Sequence, residues 1–126
     1  MVMTKAKLLR SLDRERLKAE IRQAEQQFSG EIQVSISPVF WGDVRKAAGK
    51  AFLRMQSNTA TDGNAVLFFV VPARRTFVVL GGSGIHAKVG QQFWQQISDQ
   101  LSAGFREGDF TNSLLLAIAA VGKAAA

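Results

Sequence analysis

Residues 65–82 read AVLFFVVPARRTFVVLGG, and their pattern decides the fold. Ala65 to Val71 is apolar without alternation, as expected of a strand with helices packed on both faces, where no side chain meets water. Pro72 ends it, having no N–H to give to a ladder. Thr76 to Leu80 is β-branched and apolar and starts four residues later, so the pair should form a hairpin through Pro72-Ala73-Arg74-Arg75. Gly81-Gly82-Ser83-Gly84 then turns the chain.

Upstream, Glu31 to Ser37 alternates, with Ile32, Val34 and Ile36 on one face and Gln33, Ser35 and Ser37 on the other, and Pro38 stops it. Asp43 follows a Phe40-Trp41-Gly42 loop, and Val44, Ala48, Ala51, Phe52 and Met55 line one side of a helix reaching about Gln56. Ser57 to Asn64 is a polar connection. Strand, helix and strand make a right-handed crossover with parallel strands, to which Thr76–Leu80 adds antiparallel. At the start of the chain, Ser11 or Asp13 caps a helix with Leu17, Ile21, Ala24 and Phe28 on its apolar side, stopped by Ser29-Gly30. After the glycine turn a helix is expected with Val89, Phe93, Ile97, Leu101 and Phe105 at steps of four. Its opposite face is glutamine: Gln91, Gln92, Gln95, Gln96 and Gln100. Gly104 to Gly108 breaks it, and Asp109 or Thr111 starts a last helix, apolar nearly all round from Leu114 to Val121 and therefore buried. The order α-β-α-β-β-α-α predicts an α/β fold, a sandwich over a small mixed sheet.

The 126 residues make one domain, 1–126, and 47% apolar content with nine Phe fills a core without metal or disulfide staples. Cysteine is absent and histidine occurs once, which excludes thiol enzymes, zinc ribbons, thioredoxin-like centres and His-His metal motifs. Met1 to Arg10 has no apolar stretch of signal-peptide length, so the chain as written is expected in the cytoplasm, an anchor or leader trimmed from it aside. Leu114–Val121 is far short of the roughly 18 apolar residues needed to span a bilayer. Net charge is +6, and residues 1–60 hold eleven basic against six acidic groups, so the excess belongs mainly to the first two helices.

Two strands begin at one end of the sheet and the antiparallel third finishes there. Glu31, the Asp62-Gly63-Asn64 turn and the Gly81–His86 loop should therefore converge. The other end gathers Pro38–Trp41 and Arg74-Arg75.

Several motifs resemble the TPM domain family, named for a thylakoid lumen protein, a photosystem II repair protein and a nematode receptor modulator. They are Ser29-Gly30-Glu31-Ile32, Asn64-Ala65-Val66-Leu67, Arg74-Arg75, Gly82-Ser83-Gly84-Ile85-His86 and Phe105-Arg106-Glu107-Gly108-Asp109-Phe110, in the family's order over roughly residues 12–122. The resemblance implies an α/β/α sandwich. It also implies one of several activities: acid phosphatase, calcium binding, or a role in membrane-protein assembly and repair. Relatives that resemble metal binders carry Asp directly before the Asn of the second strand, where this chain has Gly63 with Asp62 one residue early. Many carry Asp in the glycine loop, where this chain has Gly82. Two oxygen ligands are thus missing or displaced from a calcium site, which needs six to eight oxygens.

Glu31 and Asp62 are the remaining candidate metal ligands, and with His86 the candidate catalytic groups. No other cofactor is indicated. Both carboxylates also have a structural reading, hydrogen bonding to turn amides. Gly82, Ser83, Gly84, His86 and Asn64 form a candidate anion- or ligand-binding loop at a helix N-terminus, against a structural reading as a glycine turn with tight backbone packing. Gly82 to Ala87 matches a Gly-x-Gly-x-x-Ala pattern, but a dinucleotide loop follows the first strand of a parallel unit and needs an acid about 20 residues on, where a helix is expected here. His86 is either a base titrating near neutrality or a structural histidine bonded at the loop-to-helix junction.

Arg10, Arg14, Lys18 and Arg22 recur every four residues, tempered by Glu15, Glu20 and Glu25. Lys46, Lys50 and Arg54 form a second stripe. Each is a solvated face or a dock for an acidic protein or an anionic membrane surface. Nucleic acid is the least favoured partner, since no recognition motif or aromatic-interleaved basic strand is present. Trp41 with Arg74 and Arg75 is a further candidate contact, because Trp and Arg concentrate in interface hot spots. The expectation is a partner-binding module without enzyme activity, with a cation-dependent phosphatase-like hydrolase as the alternative.

Overall fold

A computed structural model describes residues 13–37, 42–57, 63–71, 74 and 76–126. The expectations attached to Met1–Arg10, Ser11, Pro38–Trp41, Asp62, Pro72-Ala73 and Arg75 lie outside the described residues. The elements run α1 Arg14–Glu25, β1 Glu31–Ile36, α2 Val44–Ser57, β2 Ala65–Val71, β3 Thr76–Gly81, α3 Ser83–Val89, α4 Gln91–Arg106 and α5 Phe110–Ala124.

The strands lie in the order β1-β2-β3, with β1 parallel and β3 antiparallel to β2. All seven residues of β2 are buried, as the unbroken apolar run requires. Its side chains alternate between two separate cores. Ala65, Leu67, Phe69 and Val71 meet Val44, Ala48 and Met55 of α2. Val66, Phe68 and Val70 meet Leu17 of α1, Ile97 and Leu101 of α4, and Leu114 and Ile118 of α5. Helices therefore cover both faces, which makes the α/β/α sandwich. Full burial of a side chain the size of Phe68 or Leu67 contributes about 1.5–3 kcal/mol.

Capping and small tethers set the helix ends. Asp13 caps α1 by accepting from Arg16 N–H at 3.1 Å, and its own N–H donates to Thr111 Oγ1 at 3.1 Å, joining the first turns of α1 and α5. Asp43 caps α2, its Oδ1 accepting from the Arg45 and Lys46 amides at 2.9 and 3.2 Å. α1 ends at Glu25, before the Ser29-Gly30 stop, and Phe28 joins the larger core from the connection rather than from the helix. The Glu25 carboxylate accepts from Ile32 N–H at 2.8 Å, so a glutamate side chain ties the helix to the start of β1.

The helix expected after the glycine turn is present in two pieces. α3 stops at Val89, and Gly90 takes φ +82 before α4 begins. The steps of four from Val89 to Phe105 continue across the break because both pieces face the same core, a regularity that hides a change of direction. With α3 and α4 taken as one bent unit, the element order is the one expected.

Candidate functional site

The glycine-rich end is held together by backbone. Glu31 N–H donates to the Asn64 carbonyl at 3.3 Å, Gly82 N–H to Ala65 at 2.9 Å and Ile85 N–H to Gly63 at 3.2 Å. The Asn64 side-chain amide reaches back to the Ser29 carbonyl at 3.1 Å. The first strand, the turn before the second and the loop after the third do converge. The packing is too close for side chains: a β-carbon on Gly82 would lie 2.2 Å from the Gly63 carbonyl oxygen. Gly63 has φ +82, and a β-carbon there would lie 2.8 Å from Gly84 N. Part of what an anion would use at the start of α3 is already engaged, since Ile85 N–H bonds Gly63 and His86 N–H bonds Gly82 at 3.0 Å. The loop is a clasp between backbones.

The strand that opens with Glu31 and the strand that leads into the His86 loop lie on opposite sides of β2. Glu31 opens β1 opposite Ala65, whereas Gly81 closes β3 opposite Val66. Two strand spacings, roughly 10 Å, separate β1 from β3. The exposed His86 ring leans on Trp94, with centroids 5.2 Å apart and planes at 45°. Among the described residues no three His, Asp or Glu side chains gather as a metal site would require, and Asp62 lies outside them.

At the other end, Arg74 is exposed and its guanidinium donates to the Gly42 carbonyl, joining the hairpin to the residue before the Asp43 cap. Trp41 and Arg75 lie outside the described residues. On α2, Arg45, Lys46, Lys50 and Arg54 are all exposed, while Val44, Ala48 and Met55 fill the core. No acidic residue lies within α2, and the Asp43 carboxylate before it is engaged in capping. On α1, by contrast, Glu15 lies 4.0 Å from Lys18.

A groove of about 310 Å³ runs past β3, with Arg45 of α2 in one wall and His86, Gln91, Trp94 and Gln95 in the other. Sequence reasoning missed it. The glutamine face of α4 and the nearby single histidine were its visible signals, but their meeting with Arg45 across a strand edge is a matter of tertiary packing.

The fold and this site define a three-layer α/β/α domain, clasped by glycines at one strand end and cationic along α2. The chain belongs to the TPM domain family, whose model matches residues 2–124. It is similar to the BA42 protein of the psychrophilic bacterium Bizionia argentinensis, known from an NMR structure, with 32% identity and a TM-score of 0.79 over 90% of this chain and 80% of that one. It shares its fold with the N-terminal domain of the cg2496 protein of Corynebacterium glutamicum, at 18% identity and a TM-score of 0.67 over 89% of this chain and 70% of that one. No curated protein sequence matches it.

Proposed function

We propose that this TPM domain is a non-enzymatic partner-binding module that docks on an acidic surface in a membrane- or envelope-associated assembly or maintenance process. The observation that carries this reading is α2, which holds Lys46, Lys50 and Arg54 exposed at successive turns with no acid in the helix to neutralise them. Like charges at that spacing repel by a few tenths of a kcal/mol per pair, a cost that an acidic partner removes. The clasp supports the same reading, because backbone fills the place where a ligand loop would stand open. Among the described residues no helix is long and apolar enough to cross a membrane.

The test is co-sedimentation with phosphatidylglycerol vesicles and with phosphatidylcholine vesicles, beside titration with an acidic protein, each over a salt series. Binding to at least one anionic partner that weakens with salt, and is lost in the Lys46→Glu, Lys50→Glu, Arg54→Glu variant, is expected. No binding to either at low salt defeats the proposal. A phosphomonoester assay with calcium or magnesium, with Glu31→Gln and Asp62→Asn as controls, addresses the hydrolase alternative. Turnover lost in both controls would replace the binding module with an enzyme.

A further inference from the structure

β3 is the last strand of the sheet, and among the described residues no strand pairs with its outer edge. The register shows which backbone groups it leaves over. Gly82 N–H bonds the Ala65 carbonyl at 2.9 Å, in line with the antiparallel pairs Val66 with Gly81 and Leu67 with Leu80. Opposed residues alternate between exchanging both bonds and pointing both groups away. Thr76, Val78 and Leu80 therefore turn their N–H and C=O toward β2, while Phe77, Val79 and Gly81 turn theirs outward. The parallel side gives the same phase, since Glu31 and Ser37 donate to the carbonyls of Asn64 and Val70, which commits the even-numbered carbonyls to β1.

The groove lies along this edge. Its walls come from opposite faces of the sheet, Arg45 from the α2 side and His86, Trp94 and Gln95 from the other, and Phe77 to Leu80 form part of its lining. Only a groove that straddles the edge of β3 is bounded by both. A fourth strand laid there would give acceptors and donors to the outward groups, which no described strand supplies. Phe77 to Gly81 spans about 17 Å of extended chain at the usual rise, a five-residue match. Trp94, 7% exposed and with its indole N–H lacking an acceptor among the described residues, supplies apolar wall beside it.

We infer that the outer edge of β3 binds an extended acidic segment of a partner protein by strand addition. The acid preference follows from the lining, which among the described residues holds Arg45 and no carboxylate. A second copy of this chain is disfavoured as occupant, because edge-to-edge pairing would bring together two chains of net charge +6. The inference concerns a surface other than the Lys46, Lys50 and Arg54 stripe and stands without it.

The test is an NMR titration with two capped probe peptides, Ac-EVTVTVE-NH2 and Ac-KVTVTVK-NH2. The acidic probe is expected to shift the Phe77, Val79 and Gly81 amides and the Trp94 indole proton, and to slow exchange of those three amides. Arg45→Glu should weaken it about tenfold at low salt. Val79→Pro removes one outward N–H, which an edge strand tolerates, and should abolish binding while spectral dispersion is kept. Reversing Lys46, Lys50 and Arg54 should leave probe binding in place, which separates this surface from the one proposed above. Equal binding of the two probes overturns the acid preference. The absence of shifts at these amides with millimolar acidic probe overturns the site, and protection that grows with protein concentration in the absence of probe replaces the partner segment with a second copy.

Discussion

At the scale of single residues, two glycines have opposite roles. A β-carbon on Gly82 would meet the Gly63 carbonyl at 2.2 Å, and that oxygen is backbone, so it cannot rotate away. Gly82→Ala is therefore expected to cost about 1–3 kcal/mol. Gly49 lies in α2 with nothing within 4 Å of the position of a β-carbon. Gly49→Ala should instead stabilise by about 0.5–1 kcal/mol, because glycine loses more backbone freedom than alanine on entering a helix. Thermal unfolding of both variants checks the pair, and a Gly82→Ala protein as stable as the parent would remove the clasp from the account. The sequence reading found in Gly82 a turn permitting tight packing. It also brought the Asp62-Gly63-Asn64 turn to the same sheet end by strand topology, whereas the contact of Gly82 with the Gly63 carbonyl itself is a matter of tertiary packing. His86 shows the same division: the turn-to-helix position was legible, while its contact with Trp94 was set by the bend at Gly90.

At the scale of elements, α5 offers a contrast within one helix. Ile118 has no exposed surface, whereas Leu116 is 54% exposed although both sit in the same apolar run. Ile118→Ala is expected to cost about 2–5 kcal/mol through lost burial and a residual cavity. Leu116→Ala should change stability by no more than about 0.5 kcal/mol. Urea unfolding midpoints compare them, and equal losses would mean that α5 packs in another rotation. The apolar run made α5 recognisable as a buried helix but was too uniform to say which side faces water. That choice comes from close packing against α1, where a β-carbon on Gly122 would lie 2.8 Å from Ala24. The split of α3 from α4 was hidden for the opposite reason. A steady period of four survives a bend when both pieces serve one core, and only the φ of +82 at Gly90 reveals it.

At the scale of the whole molecule, β2 divides two cores and pairs on both sides, so opening it requires separating every layer. Native-state hydrogen exchange should find the β2 amides among the slowest, exchanging through global unfolding, and the outward amides of Phe77, Val79 and Gly81 much faster. Slower exchange in α1 than in β2 would contradict the central place given to this strand. The sequence by itself determined the layers and the strand directions, because burial on two faces leaves an unbroken apolar run and a short helix between strands enforces parallel pairing. It also placed the cations of α2 on one side of a helix, a consequence of helical period alone. Only the tertiary structure decided that β3 keeps an unpaired edge among the described residues and that Arg45 and Trp94 stand on either side of it. These are relations between distant segments, set by register and side-chain packing, and no local pattern encodes them.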